Sequence, residues 1–191
     1  MFKGMSAEVA LSIYSNLSSS TPQEIETYVG GLLDLLGERD PVSVLSGTPE
    51  ALRRFLESVP AQVVATAEAP GKWSIRDVVQ HLADSELVGG FRLRMVLAHD
   101  RPKLTGYDQD LWANRLQYGI VGVRDALDQF SALRRANVTI WARLTPAELL
   151  RVGIHGERGE ESLDRMRRLY AGHDILHLRQ LERIRLSLTN T

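Results

Sequence analysis

The segment LDRMRRLYAGHDILHLRQLERI, residues 163–184, decides how the fold is predicted from the sequence. Spacings of three and four residues place seven of its side chains on one face of a helix, the heptad spacing of packed helices in a bundle. The face consists of Leu163, Met166, Tyr170, His173, His177, Gln180 and Ile184. Three consecutive positions of a face that should be apolar are therefore polar.

The rest of the chain is also predicted to be helical. Apolar residues recur at spacings of three and four, and capping boxes in TPQE (21–24), WSIRD (73–77) and TPAE (145–148) mark helix starts. Long helices are predicted over residues 48–66, 74–98, 119–144 and 161–187, and shorter amphipathic helices over 6–17 and 22–36. The predicted fold is all-α, a four-helix bundle with an N-terminal helical extension.

The predicted organisation has two parts, an N-terminal helical extension over residues 1–45 and the bundle over residues 46–191. Within the second long helix, the pair Gly89-Gly90 weakens helix formation, which predicts close packing or a bend there. Residues 151–159, RVGIHGERG, alternate in character and predict a short extended or hairpin-like excursion.

The composition narrows the classes of partner. The 23 lysines and arginines nearly balance the 24 aspartates and glutamates, so no basic footprint for nucleic acid is present, and a small-molecule substrate is expected. The chain contains no cysteine, which excludes disulfides, a thiolate nucleophile and a cysteine zinc site. No window has the apolar length of a signal peptide or membrane span, so a cytoplasmic protein without a membrane partner is predicted.

The polar positions on the last helix predict a site. Each buried polar group without a partner costs about 1–3 kcal/mol, so these side chains need partners. His173 and His177, four residues apart, can reach one metal ion, and His81 lies on the corresponding face of the second long helix. Three imidazoles with one open position are typical of a catalytic metal site. A metal-free polar network is the alternative.

Two stretches also carry a resemblance to a known family. KWSIRDVVQHLADSE (72–86), followed later by LYAGHDILHLRQLERIR (169–185), resembles the DinB/YfiT-like superfamily, and the similarity spans about residues 46–188. The resemblance implies a four-helix bundle in which His81, His173 and His177 hold one divalent metal ion, with zinc or nickel expected. Homodimers are common in this superfamily, so the resemblance also implies a homodimer as one expected assembly.

The activity implied by the resemblance is less uniform than the architecture. Some members are metal-dependent transferases that use low-molecular-weight thiols such as bacillithiol or mycothiol, and others are described as metal-dependent hydrolases. The expected function is therefore S-transfer from a small-molecule thiol cosubstrate, with hydrolysis as the first alternative. A non-catalytic metal-binding module of the bacterial stress response is the second.

Five further residues are candidates near this site. Asp84, one turn after His81, is a candidate base or hydrogen-bond acceptor for a histidine, with a solvated face or an ion pair as the alternative. Gln180 is expected to line a substrate pocket rather than bond a buried backbone group. Tyr107, Asp108 and Trp112 lie in a loop at one end of the bundle, where pocket residues are common. For Trp112, core packing is the favoured interpretation.

The other charged and histidine side chains considered are expected to form ion pairs or to lie on the surface. Arg92 continues the helix face that contains His81, and it is expected to pair with a carboxylate, with an anionic substrate group as the alternative. Glu86 and Glu182 lie off the packed faces and are predicted to be surface charges. His99 and His155 lie at a helix end and in a glycine-flanked loop, and they are predicted to be exposed and without a metal.

Overall fold

The computed structural model describes residues 20–189. Its long helices are α1 (Pro22–Leu36), α2 (Pro41–Glu57), α4 (Ile75–Ala98), α6 (Val123–Trp141) and α8 (Leu163–Thr189). Shorter helices are α3 (Ala61–Val64), α5 (Gln109–Arg115) and α7 (Pro146–Leu149), and a 3₁₀ turn covers Tyr118–Ile120. The helix predicted over residues 6–17 lies outside the described residues.

Four of the long helices form a closed ring of neighbours. Helices α4 and α2 each pack against both α6 and α8, which makes α2, α4, α6 and α8 a four-helix bundle. Helix α1 packs along α8 as an additional helix outside this ring. The predicted all-α bundle with an N-terminal helical extension is thereby confirmed.

The first bundle helix starts and ends earlier than predicted. Asp40 caps α2 by accepting a hydrogen bond from the Ser43 N–H, and Pro41 occupies the first turn. Pro49 lies inside α2, so the helix is already formed where the predicted range begins. The chain leaves the helix after Glu57, so the predicted range 48–66 is corrected. Helix α2 crosses residue 45, and the predicted division of the chain at that residue remains a prediction.

Glycines allow two of the closest helix contacts. A Cβ at Gly172 of α8 would lie 2.1 Å from the backbone oxygen of Leu32, so only glycine lets α1 approach this closely. In α4, a Cβ at Gly89 would lie 2.5 Å from the Tyr170 ring of α8. The predicted close packing at Gly89-Gly90 is confirmed, and it brings α4 against α8 beside the three histidines.

A small sheet closes one end of the bundle. Strands β2 (Val152–His155) and β3 (Gly159–Ser162) form an antiparallel hairpin, which confirms the predicted extended excursion. Strand β1 (Lys103–Leu104) pairs with β2 in parallel and was not predicted, because two residues carry no periodicity. Among residues 20–189, no helix combines the length and apolar character needed to cross a membrane.

Candidate metal centre

Three histidines from two bundle helices converge in the interior. His81 comes from α4, and His173 and His177 come from adjacent turns of α8. The Nε2 atom of His173 lies 3.2 Å from Nε2 of His81 and 3.0 Å from Nε2 of His177. His81 and His177 are buried, and His173 is partly exposed. The histidines that the sequence placed on two facing helices are thus brought together.

Neighbouring side chains fix the orientation of two of the rings. The Nδ1–H of His177 donates to Oε1 of Gln180 at 2.7 Å, which leaves the Nε2 lone pair directed at the other histidines. The ring of Trp73 lies against that of His81, with 4.9 Å between centroids. Gln180 therefore acts on His177 and is not among the residues that line the pocket described below, and its substrate-lining role remains a prediction.

Burial keeps the three imidazoles neutral. Loss of hydration holds the pKa values of His81 and His173 well below the usual 6.5, and the neighbouring His177 lowers both further. Burial also lowers the pKa of His177 to about 4, although the Gln180 hydrogen bond opposes this effect. Neutral imidazole is the form that binds metal ions, so the rings need no deprotonation near pH 7.

The nitrogen spacing is suitable for one ion. Two nitrogens that each lie about 2.0–2.1 Å from a tetrahedral zinc ion are separated by about 3.3 Å. The two observed separations, 3.2 and 3.0 Å, are close to this value. Within residues 20–189, these histidines are the one group of three or more His, Asp or Glu side chains close enough to share an ion. The residues present therefore fit a three-nitrogen metal site.

Two hydroxyl groups lie beside the histidines. Ser85 Oγ lies 3.3 Å from His81 Nε2 and 2.8 Å from the hydroxyl oxygen of Tyr107, with which it forms a hydrogen bond. Burial raises the pKa of Tyr107, so its phenol remains protonated at neutral pH. The ring of Trp112 packs on that of Tyr107 at 4.5 Å and is only partly buried. Trp112 thus packs against a site residue and lies outside the main core. The favoured interpretation of this residue, core packing, is therefore wrong.

Two candidate aspartates are bound by neighbouring protein groups, and their predicted roles in catalysis and substrate binding remain predictions. Asp84 accepts hydrogen bonds from the Tyr118 hydroxyl at 2.5 Å and from Nε2 of Gln80 at 3.3 Å, and it does not bond a histidine. Burial raises the pKa of Asp84, while these two donors lower it. Asp108 caps α5 by accepting from the Leu111 N–H at 2.9 Å. Both carboxylates hold the protein structure around the site, and a role for Asp84 as base remains a prediction.

The prediction for Glu86 is wrong, because this residue is buried in an ionic network. Its carboxylate lies 2.8 Å from Nη2 of Arg134, which also binds both carboxylate oxygens of Asp174. The side-chain amide of Asn137 donates to Glu86 Oε1 at 2.8 Å. The helical spacing missed this network because α4 is packed on more than one face. The predicted surface position of Glu182, which pairs with Arg185, is confirmed.

The two other histidines lie away from the candidate centre. His99 is exposed at the end of α4, as predicted. His155 is 2% exposed in β2, so the prediction of an exposed loop histidine is wrong. Its Nδ1 accepts the Glu157 N–H, and burial lowers its pKa to about 3. The residue is covered because β2 is the central strand of the small sheet.

A pocket of about 80 Å³ begins beside His173 and runs between α1, α4 and α8. Besides His173, its polar wall includes Ser85, Tyr107, Gln109, Tyr28, Tyr170, Arg92, Arg158 and Glu161. Arg158 pairs with Glu161, whereas Arg92 forms no salt bridge among the described residues, so its expected pairing with a carboxylate is not observed. No local sequence pattern indicates Arg158, Glu161 or α1 as part of the pocket, because they reach it only through the tertiary fold.

Comparison with known proteins places the chain in a family. A model of the DinB superfamily matches residues 45–181, a range that contains all three histidines. The chain belongs to the DinB superfamily. The resemblance expected from the sequence is thereby confirmed.

Individual proteins are similar to this chain over most of its length. A protein of Oceanobacillus iheyensis, named as a candidate metal-dependent hydrolase, is 26% identical over 137 residues, or 72% of this chain and 79% of that protein. A protein of Bacillus mycoides with the same description is 26% identical over 159 residues, or 83% and 91%. The solved structure of YfiT from Bacillus subtilis, described as an unusual four-helix bundle, is 20% identical with a TM-score of 0.71, covering 90% of this chain and 91% of YfiT. This last likeness supports the fold.

Proposed function

We propose that this protein is a metal-dependent enzyme of hydrolytic activity, with one divalent metal ion on His81, His173 and His177. The observation that carries the proposal is the convergence of three neutral Nε2 atoms, with Nε2 separations of 3.0 and 3.2 Å to His173. The hydrolase names of the relatives support the reaction class. The ligand set is compatible with zinc or nickel, because imidazole suits both metals.

A metal-free polar network accounts less well for this arrangement. His177 donates through Nδ1–H to Gln180, so the neutral ring has only a lone pair at Nε2. A proton on His173 Nε2 can be directed at one neighbouring ring, which leaves the other nitrogen pair close together without a bonding proton. One cation among the three nitrogens removes this conflict for all of them.

The residues around the centre suit the stabilisation of a reacting carbonyl group. A divalent cation held by three imidazoles with an open position lowers the pKa of a water ligand to about 7 and polarises a substrate oxygen. The Ser85 hydroxyl lies next to His81 and is hydrogen-bonded to the Tyr107 hydroxyl, so this pair has one hydroxyl proton left to donate to negative charge that develops on a substrate oxygen. Because its pKa is raised by burial, Tyr107 remains a donor over the neutral range.

Metal content and turnover together test the proposal. Purified protein is analysed for bound metal, stripped with a chelator and reloaded with zinc or nickel. It is then assayed with p-nitrophenyl esters, p-nitroanilides and p-nitrophenyl phosphate. We expect about one metal per chain and hydrolysis of one substrate class that disappears on stripping and in His81→Ala. The variant His99→Ala, which changes an exposed histidine, should retain both properties.

Two results would replace the hydrolase assignment. S-transfer, expected from the family resemblance, predicts that the metal-loaded protein accelerates the reaction of 1-chloro-2,4-dinitrobenzene with a small thiol such as cysteine above its uncatalysed rate, and that the metal-free protein does not. Stoichiometric metal without turnover in either assay would favour the non-catalytic binding module. A failure of wild-type protein to bind any of these metals would overturn the metal centre itself.

A further inference from the structure

The pocket beside His173 contains a buried cation whose hydrogen-bonding capacity is only partly used. Arg92 is 6% exposed, and its Nη2 donates to the backbone oxygen of Thr105. Its Nε has no hydrogen-bond partner among the described residues, although the side chain lies in the pocket wall. A buried guanidinium N–H without a partner is costly, so a ligand acceptor that reaches Arg92 would relieve this cost.

The charges around Arg92 do not cancel. Arg158 forms two hydrogen bonds with Glu161, at 2.6 and 2.9 Å, and Glu161 is fully buried. Glu161 is thus engaged by its neighbour, although its charge also interacts with Arg92 at longer range. Two arginines and one glutamate leave one positive charge in this part of the wall, which matches a ligand with one negative charge.

The pocket also has an apolar side and a defined length. This side is lined by Val29 and Leu32 of α1 and by Met166 and Leu169 of α8. Ser85, beside the histidines, and Arg92 are seven residues apart on α4, which corresponds to roughly 10 Å along a helix axis. A ligand that spans the pocket therefore needs an apolar body between its reacting end and its anionic end.

We propose that the pocket binds an elongated, largely apolar monocarboxylic acid, with its carboxylate on Arg92 and its other end beside His173. The side-chain amide of Gln109, whose Oε1 also lacks a partner, lies in the same wall and can bond a polar group of the ligand. The identity of this ligand as substrate rests on the function proposed above, whereas its binding to Arg92 does not. Helix α1 then contributes directly to substrate selection.

Binding to metal-free protein tests the carboxylate site independently of the metal centre. The full ¹⁵N-labelled chain, stripped of metal, is titrated with hexanoate, hexan-1-ol and inorganic phosphate while the Arg92 Nε–H resonance is followed by NMR. We expect hexanoate to shift this resonance and to bind about tenfold more tightly than hexan-1-ol, since a charge-assisted hydrogen bond adds to the apolar contact. Phosphate, which lacks the apolar body, should leave the resonance unshifted.

Variants show whether the advantage of hexanoate depends on Arg92. Arg92→Met should abolish the tenfold difference while retaining hexan-1-ol binding, and the more conservative Arg92→Lys should retain part of it. Arg115→Met, which changes an exposed arginine outside the pocket, is the matched control and should bind hexanoate normally. Equal binding of acid and alcohol by wild-type protein, or a hexanoate response without a shift of Arg92 Nε–H, would overturn the proposal. Neither result would affect the metal assignment, which the metal analysis tests separately.

Discussion

The structure contains two neighbouring buried polar clusters: one consists of opposite charges that bind each other, and the other of three imidazoles that face each other. In one, Arg134 lies between the carboxylates of Glu86 and Asp174, and Asn137 donates to Glu86. In the other, the Nε2 atoms of His81, His173 and His177 face one another. His173 and Asp174 are consecutive in α8, so adjacent residues of one helix contribute to the two clusters.

The two clusters differ in whether the protein itself supplies a partner for each buried polar group. The Arg134 cluster contains both signs of charge, so its carboxylates are bound by donors from the protein itself. The histidine cluster presents acceptors to acceptors, so it is completed only by a proton or a cation from outside. Buried polar side chains can therefore serve the fold or a ligand, and the chemistry of their partners distinguishes the two roles.

The largest expected effect comes from removing the cation of the first cluster. Arg134→Met leaves the buried carboxylates of Glu86 and Asp174 without their guanidinium, which should lower the free energy of unfolding by about 3–5 kcal/mol. Urea unfolding of metal-free protein measures this change. The neighbouring exposed Arg135→Met is the control and should change stability by about 0.5 kcal/mol or less. Equal stability of both variants would mean that the cluster does not hold the bundle together.

Removing a histidine should strongly weaken metal binding and change the stability of the metal-free protein only slightly. His173→Ala is expected to weaken zinc binding by roughly 100-fold or more, since loss of an outer-sphere partner alone costs about 10–100-fold. The metal-free protein should lose about 1 kcal/mol or less, because no buried charge is left unpaired. Competition with a chromophoric chelator gives the affinity, and urea unfolding gives the stability. A large loss of metal-free stability with unchanged zinc affinity would show that His173 stabilises the fold and does not bind the metal ion.

A smaller effect is expected from the residue that orients His177. Gln180→Met removes the acceptor of the His177 Nδ1–H, so the ring is no longer fixed with Nε2 directed at the other histidines. Zinc affinity should fall by about 10–100-fold at unchanged stoichiometry. The same chelator competition measures it, and Gln129→Met on the exposed side of α6 should behave as wild type. An unchanged affinity would show that the ring is held in place by packing alone.

The two clusters also differ in how well the sequence predicts them. The spacing of His173 and His177 on one helix face, with His81 on the face of a second helix, is sufficient to predict the cluster from the sequence. The Arg134 cluster was missed, and Glu86 was assigned to the surface, because helical spacing reports one packed face whereas α4 packs against both α6 and α8. Arg158 and α1 reach the pocket through contacts between distant segments, which no local pattern contains.

The buried histidines also predict a pH dependence of stability, to which the three histidines of the cluster and His155 contribute. The pKa of His177 is about 4 in the folded protein and about 6.5 when unfolded, so the unfolded chain binds more protons between these values. Stability is therefore complete above about pH 6.5 and declines as the pH falls toward 4, by up to about 1.4 kcal/mol per pH unit for each such histidine. Urea unfolding of metal-free protein between about pH 5 and about pH 7.5 measures this slope. His177→Gln should reduce this slope by the share of one histidine, because His81, His173 and His155 still contribute. The exposed His99→Gln should leave the slope unchanged, whereas equal slopes in all three proteins would show that His177 is not held neutral by the fold.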